Sequence, residues 1–301
     1  MLVGGAVASG YDATTWTWDG AAWKAVCSAG ACATAAQRVE PGLTFDPGRG
    51  KAVLFGGTPS GGSDGRIFEW DGATWTEACT AAPCSTGAKP TGRATPTLYY
   101  DADRARTILV GGVAGFGNAE CGSNWCGTEW EWDGSTWVQV TAPGSAPPGT
   151  RGVTPVYDAA RDRVVLFGGL LAAGGYSSDT WLWDGARWAK GAPATIPAAR
   201  SNYAAAYIPG SNVVAMFGGY NGAELAAGYT WNGTNWTAIG GTSPAARHYS
   251  TLSPSTRASP GGALLLGGYD GSSYYCDAYE VASGAWTGTA TCPGTGPSAR
   301  Y

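Results

Sequence analysis

One histidine, His248, stands in 301 residues, so chemistry that needs an imidazole must pass through Arg247-His248-Tyr249-Ser250. A Ser-His-Asp triad would be built on that ring, yet no GxSxG elbow supplies a nucleophile. Its plain reading is a strand-end side chain near a loop. Phosphate-cradling glycine loops and spaced metal-ligand motifs are missing too, so neither cofactor nor metal is expected. A glycosidase asks only for two carboxylates about 5 to 10 Å apart. Glu69, Glu131 and Glu280 recur at one position between aromatic residues, which marks them as structural members of a repeat. No catalytic residue is assigned, and the chain reads as a binding protein more than as an enzyme.

The eight cysteines fall into local pairs: Cys27-Cys32, Cys79-Cys84, Cys121-Cys126 and Cys276-Cys292. Zinc is the rival, but pairs on separate segments would have to converge and CxxxxC is not a usual ligand spacing. Four disulfides imply an oxidising compartment, hence a secreted or cell-surface protein. Net charge is -4 with 13% charged residues, and no Lys/Arg cluster occurs, which argues against nucleic acid and anionic membranes. No apolar run approaches the 18 or so residues a membrane span needs.

These residues sit in a repeated frame. EWDGATW at 69 returns as TWDGAAW at 17, EWDGSTW at 131, LWDGARW at 182 and TWNGTNW at 230. Asp-Gly and Asn-Gly suit a two-residue type I′ hairpin turn. With Asp71-Gly72 as the central pair, Trp70 faces Ala73 and Phe68 lies opposite Trp75. The same register pairs Trp16 with Trp23, Trp130 with Trp137, Trp181 with Trp188, and Tyr229 with Trp236. Tyr279 with Trp286 keeps the spacing around a different turn, Ala282-Ser283-Gly284. Upstream of each aromatic pair an apolar run ends in Gly-Gly: LVGG, VLFGG, ILVGG, VLFGG, AMFGG and LLLGG. Further upstream an arginine opens another strand: Arg38, Arg93, Arg151, Arg200 and Arg247, with Arg300 beginning one more copy. The unit is an arginine-led strand, an apolar strand with Gly-Gly, then an aromatic hairpin.

An apolar run, Gly-Gly and an aromatic seven residues before a Trp resemble the kelch motif, over nearly the whole chain. The resemblance implies an all-β fold of four-stranded antiparallel blades, and six copies imply a six-bladed β-propeller forming one domain over 1-301. Within that family, repeats like those of the galactose-oxidase central domain can carry copper. Such a site needs two histidines and a Tyr cross-linked to Cys, so the copper activity is not expected here. The resemblance also brings the residues that open each first strand, Arg38, Arg93, Arg151, Arg200, Arg247 and Arg300, to one mouth of the propeller. There they would bind carboxylates or sulfated sugars; the structural alternative is that each bonds carbonyls or the neighbouring blade.

Every tryptophan except Trp125 occupies a repeat position. Trp125 lies in CGSNWC, in a lengthened connection of the third repeat, and is a candidate ligand platform. The resulting expectation is an extracellular module that recognises a glycan or a protein through loops of a propeller face. The alternatives are a carbohydrate-active enzyme using carboxylates at a propeller mouth, and a structural subunit of a surface assembly. Arg300-Tyr301 and Met1-Val3 read as one split repeat missing about a dozen residues of an innermost strand by comparison with the other copies. The first blade is thus expected to be shared between the termini, and the natural chain to continue beyond both ends into other domains.

Peptide mapping of unreduced protein is expected to recover the four local cysteine pairs. Eight free thiols, or zinc bound in stoichiometric amount, would contradict the disulfide framework and the compartment inferred from it.

Overall fold

The computed structural model describes residues 1–7, 10–18, 22–60, 62–114, 120–121, 126–140, 147–148, 150–255 and 261–290. They divide into two compact units, one of residues 1–142 and 148–151, the other of 143–147 and 152–301. In the first unit, one blade runs Gly42–Asp46, Lys51–Phe55, Ile67–Trp70, Trp75–Ala78, and the next runs Thr97–Asp101, Arg106–Val110, Glu129–Trp132, Trp137–Val140. Ahead of them Leu2–Val3, Thr15–Trp18 and Trp23–Cys27 make a three-stranded sheet, followed by a short helix, Ala31–Ala36. The strand expected from the C-terminal end of the chain falls at 300–301, outside the described residues. The second unit holds three blades. These are Val156–Asp158, Arg163–Phe167, Thr180–Trp183, Trp188–Lys190; then Ala204–Ile208, Val213–Phe217, Gly228–Trp231, Trp236–Ala238; then Thr251–Ser255, Gly262–Leu266, Ala278–Ala282, Ala285–Ala290. Apart from Gly240–Gly241, which adds a short parallel edge to the sixth sheet, the six sheets pair antiparallel in chain order, the strand arrangement of a six-bladed β-propeller.

The second strand of the middle blade of each unit, Lys51–Phe55 and Val213–Phe217, has neighbours on both faces, so its sequence is a continuous apolar run instead of an alternation. Val53, Leu54, Phe55, Ala215, Met216 and Phe217 are all fully buried. The Phe that precedes Gly-Gly packs edge-on against the closing Trp of the following blade. Ring centroids are 5.4 Å apart for Phe55–Trp137, 5.4 Å for Phe167–Trp236 and 4.9 Å for Phe217–Trp286. Edge-to-face pairs of this kind contribute about 0.5–1.5 kcal/mol beyond area burial. Indole nitrogens reach across the same seams: Trp75 Nε1 donates to Thr15 Oγ1 at 2.9 Å and Trp236 Nε1 to Thr180 Oγ1 at 3.0 Å.

The hairpin turn corrects the sequence-based register. Trp70 pairs with Trp75, Trp132 with Trp137, Trp183 with Trp188 and Trp231 with Trp236, across loops of four residues. Phe68 lies opposite Glu77 and Trp130 opposite Gln139, not opposite the closing tryptophans. The Asp side chain is the cause. Asp71 Oδ1 accepts the amides of Ala73 at 2.9 Å and Thr74 at 2.8 Å, and Gly72 turns the chain at φ 102°. Asn232 does the same with Thr234 and Asn235. This local capture of backbone donors closes a wider loop than a type I′ turn. Partial burial pushes the Asp133 carboxyl up, but bonds from Thr136 and Ser135 outweigh it and hold the group at about 2. A two-residue turn with both φ positive occurs only in the sixth copy among the described aromatic hairpins, at Ser283 (φ 51°) and Gly284 (φ 75°), where Ala282 faces Ala285.

Gly-Gly is required where one blade meets the next. The second glycine donates its amide to the carbonyl of the arginine that opens the following blade: Gly5 to Arg38 at 3.0 Å, Gly57 to Arg93 at 2.9 Å, Gly169 to Arg200 at 2.8 Å, Gly219 to Arg247 at 2.9 Å. Both glycines of a doublet have positive φ, as at Gly218 (71°) and Gly219 (98°). A Cβ on Gly218 would collide with the Arg247 carbonyl oxygen, and one on Gly56 would fall 2.6 Å from that of Arg93.

This contrast makes a stability prediction. Gly72 has positive φ but open space where a methyl would stand, so Gly72→Ala is expected to cost about 1 kcal/mol. Gly218→Ala adds a backbone clash that separates two blades and is expected to cost about 3 kcal/mol or more. Urea unfolding of the two variants should rank them in that order; equal losses would contradict the seam geometry.

Candidate functional site

The repeated arginines are the first side chains to place. Arg38, Arg93, Arg200 and Arg247 have no exposed surface. Each guanidinium donates to the carbonyl of the first glycine of its own blade's doublet: to Gly56 at 2.6 Å, Gly111 at 3.0 Å, Gly218 at 2.9 Å and Gly267 at 3.0 Å. Three also meet a carboxylate. Arg38 pairs with Asp64, Arg93 with Glu120, and Arg247 with both oxygens of Asp277. Arg200 instead donates to a second carbonyl, that of Ala227, at 2.9 Å and lies 5.4 Å from the Tyr229 ring centre. Burial pushes the guanidinium pKa down at Arg38, Arg93 and Arg200.

Arg151 departs from the repeat. Thr150 stands eight residues before Asp158, the spacing of Arg38 to Asp46 and Arg93 to Asp101. Thr150 is buried at that place and Arg151, one residue later, is exposed. The arginine spacing therefore misassigned this copy by one residue. Arg300 lies outside the described residues.

The cysteines of the first three pairs are joined as expected: Cys27–Cys32, Cys79–Cys84 and Cys121–Cys126. Cys276 is disulfide-bonded as well; Cys292, its expected partner, is outside the described residues. The third bridge closes the connection that carries Trp125, which itself lies outside the described residues. Glu120, at the base of that connection, accepts from Thr91 Oγ1 at 2.6 Å, Thr128 Oγ1 at 2.7 Å and Trp130 Nε1 at 2.7 Å. Burial would raise its carboxyl, but the bonds from Thr91 and Thr128 and the charge of Arg93 hold it at about 2. Two of the repeated glutamates are likewise engaged, whereas Glu280 Oε1 is buried without a hydrogen-bond partner. Glu69 accepts from Trp132 Nε1 at 2.9 Å and pairs with Arg49, and Glu131 pairs with Arg104.

A group of side chains in the second unit, unassigned by sequence reasoning, does converge. Tyr220 and Tyr269 each follow a Gly-Gly doublet, while His248 and Tyr249 follow Arg247. Bridges tie these positions together, Ser201 to Tyr220 and His248 to Tyr269, the latter through amide-carbonyl bonds of 3.0 and 2.9 Å. All therefore meet at the end of the blades where first strands begin and second strands stop. The His248 ring centre lies 4.4 Å from that of Tyr249, 5.4 Å from Tyr220 and 5.6 Å from Tyr269, and Tyr274 lies 4.8 Å beyond Tyr269. Tyr274 is 40% exposed and His248 only 8%. Glu224 reaches the same place, its Oε1 3.8 Å from His248 Nδ1, beyond hydrogen-bond length. Nδ1 is buried and has no hydrogen-bond partner. GGY at 218 and 267 was the signal available in the sequence.

Arg247 supports this surface from below. Its guanidinium lies 3.8 Å from the Tyr275 ring centre, and Tyr275 in turn donates its hydroxyl to Asp270 Oδ2 at 2.8 Å. With Arg247 neutralised by Asp277, the surface carries the negative charges of Glu224 and Asp270. The arrangement offers aromatic faces, one carboxylate and one imidazole nitrogen to a ligand. Among the described residues no group of three or more His, Cys, Asp or Glu could hold a metal ion.

Burial lowers the His248 pKa, more than Glu224 and Asp270 raise it. The neutral ring is thus favoured by folding. Its contribution to stability is complete above the ordinary value of about 6.5 and is lost as pH falls toward the lowered folded value. The single histidine resonance should titrate below about 6.5, and Glu224→Gln should move the midpoint lower still. A midpoint above the ordinary value would contradict this environment.

No protein-family model matches the chain, and no curated protein matches it. The chain is similar to the solved structure titled "Structure of YjhT", with a TM-score of 0.69 and 16% identity over 93% of this chain and 91% of that one. At that identity the likeness establishes the propeller fold. Among the described residues no helix is long and apolar enough to cross a membrane.

Proposed function

We propose that the chain is a kelch-type propeller acting as an extracellular binding module, and that it takes a glycan on the tyrosine and histidine surface of its fifth and sixth blades. The observation that carries this reading is the buried, unpartnered Nδ1 of His248 inside a group of four tyrosines. Leaving a buried polar atom without a partner costs about 1–3 kcal/mol. A sugar hydroxyl placed between Nδ1 and Glu224 would satisfy both groups while the ring faces pack on apolar C–H surfaces. The disulfides fit a secreted setting, since such bridges persist where the environment is oxidising.

A second reading, a carbohydrate-active enzyme, draws on the same pair, because a neutral imidazole beside a carboxylate can move a proton once a substrate group bridges them. A glycan array with a parallel hydrolase screen separates the two. The expected result is retention of at least one saccharide without turnover, weakened by about tenfold or more in Tyr269→Ala and Tyr274→Ala with unchanged thermal unfolding. Turnover abolished by Glu224→Gln would establish the enzyme instead.

A further inference from the structure

Resting on the glycan reading, we infer that the surface selects a saccharide bearing a charged ammonium group, an amino sugar, over neutral and acidic sugars. Charge is the first ground. Glu224 and Asp270 face the tyrosines, and Arg247, the arginine of the cluster, is fully buried with its charge met by Asp277. An acidic sugar would bring its carboxylate beside Glu224 without a cation to receive it, whereas an ammonium group meets a carboxylate and several ring faces together.

Geometry is the second ground. Glu224 Oε1 and His248 Nδ1 are 3.8 Å apart and do not bond each other. A ligand nitrogen beside the line joining them would stand about 2.8 Å from each, a normal hydrogen-bond length. It would donate one N–H to the carboxylate and a second to the Nδ1 lone pair, with the imidazole proton on Nε2. The remaining N–H and the adjoining carbon face Tyr220 and Tyr269, where the negative ring faces favour a cation over a hydroxyl. A hydroxyl can fill the same gap, but it carries no charge for Glu224 or the rings.

Calorimetric titration with a glucosamine tetrasaccharide, its N-acetylated counterpart and a uronic-acid tetrasaccharide tests the inference. At about pH 6 the free amine is expected to bind about tenfold or more tightly than the acetylated sugar. That preference should collapse at about pH 9, where the amine has lost its proton. Glu224→Gln should reduce it to about threefold or less, and Glu224→Asp should retain part of it. Equal affinity for the free-amine and acetylated sugars at the lower pH, or tighter binding of the uronic sugar, would overturn the charge selection and leave the glycan reading standing. A lysine-rich peptide bound more tightly than every sugar would overturn the choice of a saccharide. A blank array together with no heat from any tetrasaccharide would overturn the glycan reading itself.

Discussion

The bond between a glycine amide and an arginine carbonyl, made once at each described seam within a unit, governs the rest of the structure. It joins the end of one blade's second strand to the start of the next blade's first strand. The same arginine then turns its guanidinium onto the first glycine of its own blade. Main chain and side chain of one residue thereby hold a seam and the blade that it opens. A bond from a charged donor contributes about 1.5–3 kcal/mol, and leaving the donor buried without an acceptor costs more. Arginine suits the task because its planar donors reach a carbonyl and a carboxylate at once.

Several residue choices follow from that contact. Glycine is needed at both doublet positions because the backbones approach too closely for a Cβ and the chain passes through positive φ. The Phe before the doublet must meet the closing Trp of the following blade, since the seam fixes their separation. Two residues after the arginine the chain turns left-handed at Glu40, Thr95, Asn202 and Tyr249. The amide of one such residue bonds the carbonyl of the one before it, as Tyr249 does with Asn202 at 3.0 Å. Strain at Tyr249 therefore belongs to the architecture shared by the blades and not to the candidate site alone.

The candidate site is a by-product of the same seams. Positions flanking the doublet and the arginine are carried to one end of the blades, so whatever stands there becomes a surface. In the fifth and sixth blades those positions hold Tyr220, His248, Tyr249 and Tyr269. Arg247 itself lies beneath that surface, its guanidinium engaged with the Gly267 carbonyl and the Asp277 carboxylate. This is why the surface is aromatic and acidic where the repeated arginines suggested a cationic mouth.

The sequence by itself determined the repeat, the four strand types and the three local cysteine pairs that lie within the described residues. Each is written in neighbouring residues: an apolar run, a glycine doublet, an Asp-Gly, a CxxxxC. Tertiary structure decided what depends on competition between partners distant in the chain or on side-chain capture of backbone. Asp71 could serve a two-residue or a four-residue loop, and its bonds to Ala73 and Thr74 chose the wider one, moving Trp75 opposite Trp70. Thr150 and Arg151 could exchange places in the repeat, and the spacing to Asp158 set Thr150 inside. Arginines able to bind a ligand or a carbonyl were buried because the fold sets a glycine carbonyl within reach of each guanidinium. His248 met Tyr220 and Glu224, from the preceding blade, only through contacts between blades, which periodicity within one repeat does not encode.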